Sequence, residues 1–263
     1  MGAVASGTRQ VHGQALDATA YRTRLLSGQG EASVPGWGRV VGADRWIEAK
    51  APLGTFDAIL FDFDGTLGDS HEAVLRAYAQ WAKEYGVDVG YAQEYIGRPS
   101  ATAAHALLPP EIAEEAGRRI DELESLDTDG VVALPGAAEA LSAISDDRRA
   151  IATSCTNRLL TARLAATGLP FPRVIITCDD VENGKPAPDS YLLAAERLGV
   201  DPAHCLVVED APAGIAAGRA AGCAVLGVLT QLPGDVLGAD WHVETLADVT
   251  FTETPDGVVV APR

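Results

Sequence analysis

The chain has 263 residues, of which 47% are hydrophobic and 22% are charged, so it is long enough for one large or two small domains with a sizeable core. Its 37 acidic residues against 20 basic ones leave a formal charge of -17, which disfavours binding to nucleic acid or anionic lipid. No window approaches the roughly 18 consecutive apolar residues of a membrane span, and the N-terminus lacks a basic segment followed by an apolar run. We therefore expect a cytoplasmic protein with no nucleic-acid partner and no membrane partner.

Residues 1–53 differ in composition from the rest of the chain. They are rich in Gly and Ser and carry six basic residues against four acidic ones. Such a segment can be partly disordered, although the apolar residues between Trp37 and Ile47 also allow one or two short strands. We interpret residues 1–53 as an N-terminal extension whose role the sequence leaves open.

From Phe56 onwards, short apolar runs alternate with amphipathic helical stretches, which predicts a parallel sheet covered by helices. The predicted strands are 58–61, 150–153, 174–177, 205–208 and 224–229. The predicted helices that follow four of them are 71–85, 157–167, 187–198 and 211–221. In such sheets ligands bind at the carboxyl ends of the strands, so the polar residues after each run are candidates for a functional site.

One interval breaks this alternation. Between Gly86 and Pro135 only helical patterns are present, the clearest over 111–126. We expect a doubly wound, Rossmann-like parallel α/β core, with a helical cap inserted after the first strand. The boundaries that this predicts are 54–70 and 135–263 for the core and 71–134 for the cap.

The four cysteines favour a reduced interior over a disulfide framework or a zinc site. They are spaced widely along the chain without a CxxC pair, and small buried thiols are common beside apolar runs. The residues concerned are Cys155, Cys178, Cys205 and Cys223.

Two aspartates follow the first predicted strand, within the hexapeptide DFDGTL that runs from Asp62 to Leu67. The two-residue period of a strand places Asp62 and Asp64 on the same side, and Gly65 permits a tight turn. Two unpaired carboxylates at one point raise each other's pKa, so a bound cation or a division of roles is needed. A turn with two solvated acids is the alternative, which the preceding apolar run and the following Gly-Thr disfavour.

Hydroxyls and a lysine follow the second and third strands. The segment from Thr153 to Asn157 reads TSCTN, and such residues at a helix N-terminus can bind an anion or simply cap the helix. Lys185, one of three lysines in the chain, lies between Gly184 and Pro186 ahead of a helix. It can face solvent, or it can reach across the strand ends as a fixed positive charge.

An acidic pair, Glu209-Asp210, follows the fourth strand. Two acids at this point can cap the next helix or can complete a site for a hard cation. Mg²⁺ takes one or two carboxylates together with substrate oxygens and waters, so both interpretations stay open for the pair alone.

In this order, two aspartates, a hydroxyl, a lysine and an acidic pair resemble the four motifs of the haloacid dehalogenase superfamily, in its aspartyl-phosphate branch. The resemblance covers about residues 56–230. Glu209-Asp210 followed by AGIAAGRAAG over 213–222 is similar to the small sugar and polyol phosphate phosphatases. The resemblance implies a Mg²⁺-dependent phosphatase that hydrolyses a small phosphorylated sugar or polyol through an aspartyl-phosphate.

The resemblance also implies a role for each motif residue. Asp62 would be the nucleophile, Asp64 the general acid and base, and Lys185 the charge that balances Asp62 and the phosphate. Mg²⁺ would be held by Asp62, the backbone carbonyl of Asp64 and Asp210. Glu209 would be a second ligand or would hold a metal-bound water.

Substrate contacts are expected from the core and from the cap. Thr153 and the backbone N–H of Ser154 would hold phosphoryl oxygens. In the cap, the loop that starts at Gly97 and contains Arg98 occupies the place of a loop that begins with His-Gly in similar family members. Ile96 stands where that His would be, so the loop does not specify a substrate, and Arg98 is the cap candidate for gripping it.

Three alternatives share parts of this pattern. A phosphomutase of the β-phosphoglucomutase kind has the same core, and Asn157 matches a substrate-contacting position of such mutases, whereas Thr66-Leu67 and the run TSCT favour a phosphatase. A dehalogenase would ordinarily lack the second aspartate, Asp64. A non-catalytic scaffold usually loses the nucleophile, and Asp62 is present. The exact substrate, the pathway and the oligomeric state do not follow from the sequence.

Overall fold

A computed structural model describes residues 52–263 of the chain. Most of the proposed N-terminal extension, including the short strands considered between Trp37 and Ile47, lies outside the described residues.

Strands and helices alternate along the described chain. The strands are β1 (Gly54–Phe56), β2 (Ala58–Phe61), β3 (Gly68–Asp69), β4 (Val132–Ala133), β5 (Arg149–Ala152), β6 (Val174–Ile176), β7 (Cys205–Glu209), β8 (Ala224–Val228), β9 (Trp241–Val243), β10 (Val249–Thr254) and β11 (Gly257–Pro262). The helices are α1 (His71–Tyr85), α2 (Val89–Gln93), α3 (Ser100–Leu107), α4 (Pro110–Leu126), α5 (Ala137–Ser142), α6 (Asn157–Thr167), α7 (Asp189–Leu198), α8 (Pro212–Ala220) and α9 (Gly234–Leu237).

Six parallel strands form the centre of the fold, in the order β6-β5-β2-β7-β8-β9. Alternate residues of β2 enter two separate apolar clusters: Ile59 and Phe61 lie in one, and Ala58 and Leu60 lie in the other. Helices α5 and α6 cover the first face, and α7 and α8 cover the second. Because both faces are buried, the strands appear in the sequence as continuous apolar runs. The predicted doubly wound, Rossmann-like core is confirmed. The five predicted strands and the four predicted helices agree with the observed bounds to about two residues, whereas the sixth strand β9 and helix α5 were not predicted.

The sequence analysis did not predict a second sheet, the antiparallel β1-β11-β10. Its apolar residues join the cluster on the α5 and α6 face of the central sheet. The ring of Phe251 in β10 lies 5.8 Å from the ring of Phe61 in β2, edge to face, a geometry that aromatic pairs prefer. This sheet therefore covers the part of that face which the helices leave open.

The chain between β3 and β4 is helical, from α1 to α4, where the cap was predicted. It has an apolar core of its own around Tyr78, Trp81 and Ile120. Trp81 Nε1 donates a hydrogen bond of 2.9 Å to the carbonyl of Ala116, which satisfies the buried indole N–H. We call residues 71–126 the helical insertion.

The prediction of only helical patterns between Gly86 and Pro135 is wrong at β4. Its two residues pair with β3 in antiparallel register, Gly68 with Ala133 and Asp69 with Val132. A ladder of two residues is too short to produce a recognisable alternation. The ribbon holds the entry and the exit of the helical insertion side by side.

Two predictions from composition can be compared with this fold. Within residues 52–263 no helix combines the length and the apolar character that crossing a membrane requires. All four cysteines are free thiols; Cys155, Cys205 and Cys223 are buried as predicted, whereas Cys178 is only half-buried. Cys178 begins a short 3-10 turn after β6.

Candidate active site

The candidate site lies where the carboxyl ends of three neighbouring strands meet. β2 pairs in parallel with β5 on one side and with β7 on the other, so the direction of the strand order changes at β2. Such switch points form crevices that bind ligands. Asp62 follows β2, Thr153 follows β5 and Glu209 ends β7, and the fold thereby brings three of the sequence motifs to one place.

Lys185 reaches across these strand ends. Its Nζ donates hydrogen bonds of 2.6 Å to Asp62 Oδ1, 2.7 Å to Glu209 Oε1 and 3.0 Å to the carbonyl of Ala152. Only 6% of the side chain is exposed. Burial disfavours the charged ammonium, but Asp62 and Glu209 outweigh burial and hold the pKa of Lys185 well above its ordinary value. The interpretation of Lys185 as a solvent-facing residue is therefore wrong.

Both oxygens of Glu209 accept hydrogen bonds from the protein. Oε1 receives Lys185 and, at 2.9 Å, the hydroxyl of Tyr191. Oε2 receives the backbone N–H groups of Asp210 at 3.0 Å and Ala211 at 3.2 Å. These four bonds make Glu209 a holder of Lys185 and of the turn after β7. Sequence reasoning missed Tyr191, because an aromatic residue on an amphipathic helix is read as core.

Two glycines allow neighbouring backbone segments to pack directly against the carboxylates of Asp210 and Glu209. A Cβ atom on Gly65, whose φ is 82°, would lie 1.9 Å from Asp210 Oδ2. A Cβ atom on Gly214, in α8, would lie 1.6 Å from Glu209 Oε1. Because neither position has room for a side chain, the loop after β2 can rest against Asp210 and helix α8 against Glu209.

Three buried carboxylates form a group that can hold a metal ion. Oxygen atoms of Asp62, Glu209 and Asp210 all lie within 4.8 Å of one another, and each residue is buried. The ammonium of Lys185 carries one positive charge against these three carboxylates, so the group keeps an excess of negative charge unless protons or a cation bind. The side-chain carboxylate of Asp64 is not part of this group.

Burial, and then repulsion between the acids, raises the pKa values of Asp62 and Asp210. Burial raises the pKa of Asp62; Lys185 offsets part of this, while Glu209 and Asp64 add to it. Burial also raises the pKa of Asp210 well above its ordinary value, with Glu209 and Asp62 adding to the effect. Hard oxygen donors that repel one another in a buried site fit a divalent cation such as Mg²⁺, whose charge reverses this penalty.

The carboxyl group of Asp64 is held by three side chains outside that group. Its Oδ1 accepts a hydrogen bond of 2.6 Å from the Ser70 hydroxyl. Its Oδ2 accepts one of 2.6 Å from Arg163 Nη1 and one of 2.9 Å from the thiol of Cys155. The side chain stays 27% exposed, so part of it is accessible to a substrate.

Sequence reasoning also missed Arg163, although a signal was present. Arg163 lies in α6 on the same buried stripe as Leu159, Leu160 and Leu164. A charged residue on an apolar stripe must find a buried partner. The partner could not be named from the sequence, because it lies in another element.

The structure places Thr153 and Ser154 at the carboxyl end of β5. Thr153 is buried, and its hydroxyl accepts a hydrogen bond of 3.2 Å from the N–H of Cys155. Ser154 is half-buried. Both residues lie in the turn that follows β5, the strand next to β2 and hence to Asp62.

Thr156 and Asn157 form the N-terminus of helix α6. Thr156 is the N-cap of α6, and its hydroxyl accepts a hydrogen bond of 3.2 Å from the N–H of Leu159. Asn157 is exposed, and its N–H donates a hydrogen bond of 2.8 Å to Asp179 Oδ2. Capping, one of the two interpretations of this segment, therefore applies to Thr156, and the N–H of Asn157 is already bonded.

The loop with Arg98 lies beside the Lys185 segment. A Cβ atom on Gly184 would lie 3.5 Å from Cγ of Pro99, an ordinary packing distance. Arg98 is exposed, and its guanidinium lies 5.4 Å from the centre of the Tyr95 ring. The helical insertion thus brings this loop next to Gly184, which precedes Lys185 in the chain, with Arg98 at the exposed surface of the loop.

Comparison with known proteins gives three kinds of match. The family model of the haloacid dehalogenase-like hydrolases matches residues 56–222. Hexitol phosphatase A of Escherichia coli is 40% identical over 210 residues, which cover 76% of this chain and 96% of that protein. Glycerol-1-phosphate phosphohydrolase 2 of Saccharomyces cerevisiae is 35% identical over 203 residues, covering 69% and 78%.

A solved structure of similar fold is CbbY from Rhodobacter sphaeroides in complex with phosphate. It superimposes with a TM-score of 0.63 at 26% identity, over 73% of this chain and 96% of that one. The likeness therefore extends over nearly the whole of the solved chain.

Proposed function

The chain belongs to the haloacid dehalogenase-like hydrolases, and we propose that it is a cytoplasmic, Mg²⁺-dependent phosphatase that hydrolyses a small phosphorylated sugar or polyol. The observation that carries the proposal is the contact of Lys185 Nζ with both Asp62 and Glu209 at the strand ends. It combines a buried carboxylate, a fixed positive charge and an acidic group suited to a divalent cation. The hexitol and glycerol phosphate phosphatases among its relatives support the substrate class.

The proposed first step is attack of Asp62 on phosphorus. A bond forms between a carboxylate oxygen of Asp62 and phosphorus as the bond from phosphorus to the leaving oxygen breaks, and water then hydrolyses the aspartyl-phosphate. Because an anion approaches an anion, neutralising charge is the main requirement. Lys185 supplies one fixed positive charge at 2.6 Å from Asp62. Thr153 and the N–H of Ser154 would orient the phosphoryl oxygens.

Asp64 would move the protons of both steps. Its carboxyl group gives a proton to the leaving alkoxide oxygen in the first step and takes one from the attacking water in the second. The exposed side of Asp64 is where either oxygen can approach. A separate proton carrier is needed, because Asp62 itself is bonded to phosphorus between the two steps.

Asp62 and Asp210, with the backbone carbonyl of Asp64, would hold Mg²⁺. When bound, Mg²⁺ neutralises charge on the phosphoryl group and on the carboxylates. Glu209 would act mainly by holding Lys185, because both of its oxygens already accept hydrogen bonds from the protein.

A panel of phosphorylated metabolites with Mg²⁺ tests this function. We expect release of inorganic phosphate from sugar and polyol phosphates, with kcat/KM for the best substrate about tenfold or more above that for a generic aryl phosphate, as specific contacts provide. Conversion of a hexose 1-phosphate to its isomer without phosphate release would instead identify a mutase. Absence of turnover across the panel would leave the scaffold alternative.

Replacing Arg98 by Ala should change substrate preference more than chemistry. Arg98 lies outside the contacts that hold Asp62, and its fork of donors suits hydroxyls or a carboxylate of the substrate. We expect kcat/KM for the best metabolite to fall by about 10–100-fold, or about 1.4–2.7 kcal/mol. The loss on an aryl phosphate should be several-fold smaller.

The matched control for this prediction is Arg118→Ala, which removes an exposed arginine of α4 that pairs with Glu114. It should leave both substrates unaffected. Equal losses for Arg98→Ala on the metabolite and the aryl phosphate would place Arg98 at the phosphoryl group. No loss on either would make it a surface residue.

A further inference from the structure

A second buried cation lies beside the candidate site, and the proposed reaction does not yet use it. Only 4% of the Arg163 side chain is exposed. Nη1 donates to Asp64 Oδ2 at 2.6 Å, and Nη2 donates to Glu124 Oε1 at 2.9 Å. Asp64 belongs to the core, whereas Glu124 lies in α4 of the helical insertion. One guanidinium therefore bridges the two parts of the fold.

We infer that Arg163 is a positioning residue that orients Asp64 for proton transfer and ties that orientation to the helical insertion through Glu124. The inference rests on the proposed function, since it needs Asp64 to be the general acid of a phosphatase. The Ser70 hydroxyl and the Cys155 thiol also hold the Asp64 carboxyl group, but Arg163 is the charged group among its three partners and the one that also contacts the helical insertion.

The burial of the two partners shows from which side Arg163 acts. The Asp64 side chain is 27% exposed and the Arg163 side chain 4%. Arg163 therefore contacts Asp64 from the protein interior and leaves the exposed side to the leaving oxygen. The guanidinium is planar and its donors have fixed directions, so it restrains the carboxyl group more than an ammonium could.

Glu124 completes this arrangement. Its carboxylate balances the charge of Arg163, so the guanidinium can orient Asp64 without adding a net positive charge there. Glu124 is 7% exposed, and burial raises its pKa to about 7, although Arg163 acts in the opposite direction. A buried ion pair is often no more stabilising than apolar residues of similar volume. A role in positioning explains the presence of these charges better than stability does.

The contacts continue to the loop that is proposed to bind substrate. Glu124 Oε2 accepts a hydrogen bond of 3.3 Å from the hydroxyl of Ser100. Ser100 begins α3, two residues after Arg98 in the chain. A connected path thus runs from the loop through Glu124 and Arg163 to Asp64, by which the position of the loop can affect the proton donor.

The test compares leaving groups, using Arg163→Met and wild type. An alkyl phosphate such as glycerol phosphate needs a proton on its leaving oxygen, whereas p-nitrophenolate leaves without one. The ratio kcat/KM reports formation of the aspartyl-phosphate, the step in which that proton is given. We expect a loss of about 100-fold on the alkyl phosphate, the scale of general acid catalysis, and of no more than about threefold on p-nitrophenyl phosphate. Equal losses on both would overturn the inference.

Two further variants keep the test decisive if Arg163→Met does not fold. The double variant Arg163→Met with Glu124→Gln removes both buried charges and should show the same selective loss. Glu124→Gln alone keeps an acceptor for Arg163 and should lose about tenfold on the alkyl phosphate only, since positioning is weakened but not removed. If the double variant folds and loses both activities equally, Arg163 is structural.

The control is Arg173→Met, which removes an exposed arginine paired with Asp147 and should leave both activities unchanged. The outcomes separate the two proposals. A wild-type protein that releases no phosphate from any alkyl phosphate refutes the proposed function. An active wild type combined with an Arg163→Met variant whose losses are equal refutes only the positioning role.

Discussion

Asp62→Asn is expected to lower kcat by at least about 10³-fold, because it removes the attacking carboxylate while keeping nearly the same volume. An amide oxygen is a poor nucleophile toward phosphorus. The substitution also removes one carboxylate from the group of Asp62, Glu209 and Asp210. The measurement is steady-state phosphate release with the best substrate from the metabolite panel.

The variant should stay folded. Burial raises the pKa of Asp62, so the ionised side chain costs stability in the metal-free protein at neutral pH, and a neutral amide removes that cost. The Tm without metal should therefore not decrease. Asp57→Asn is the matched control, since Asp57 precedes β2 at its other end and its side chain is 43% exposed. If pure Asp62→Asn keeps more than about a tenth of wild-type activity, the aspartyl-phosphate mechanism is wrong.

Removing Mg²⁺ with a chelator should reduce activity by at least about 10²-fold, the scale on which single electrostatic contributions act. Without the metal, the buried acids Asp62, Glu209 and Asp210 repel one another and the phosphate. The single positive charge of Lys185, which pairs with Asp62 and Glu209, offsets only part of this repulsion. Added Mg²⁺ should restore the activity. Ca²⁺ should inhibit, because it takes more ligands in looser geometry and misplaces Asp62. Full activity in chelator would contradict the metal assignment.

A second measurement does not depend on activity. Mg²⁺ should raise the Tm of the wild-type protein, because a ligand that binds only the folded state stabilises it. Asp210→Asn should largely abolish this rise, and it should make the metal-free protein more stable, since burial raises the pKa of Asp210. Asp240→Asn is the control, because Asp240 pairs with Arg219 at the surface and should keep the full Mg²⁺ response.

Much of the core could be predicted from the sequence, because the patterns that indicate its strands and helices involve only neighbouring residues. An apolar run such as β2 and the helix pattern of α1 depend only on neighbouring residues, and both have the predicted bounds. The parallel direction of the strands followed from their alternation with helices. Strands β10 and β11 were missed because they are partly exposed and their sheet lies outside that alternation.

The candidate site, like the core, has features that the sequence predicts and features that only the tertiary structure shows. The sequence by itself determined which motifs end at the strand edge, since a strand's polar end is a local feature and parallel strands place their carboxyl ends together. Only the tertiary structure decided how the side chains pair. Lys185 meets Asp62 across 123 positions of sequence, and Arg163 meets Asp64 across 99. No local pattern records such pairs, because a buried charge finds its partner through the packing of whole helices against the sheet.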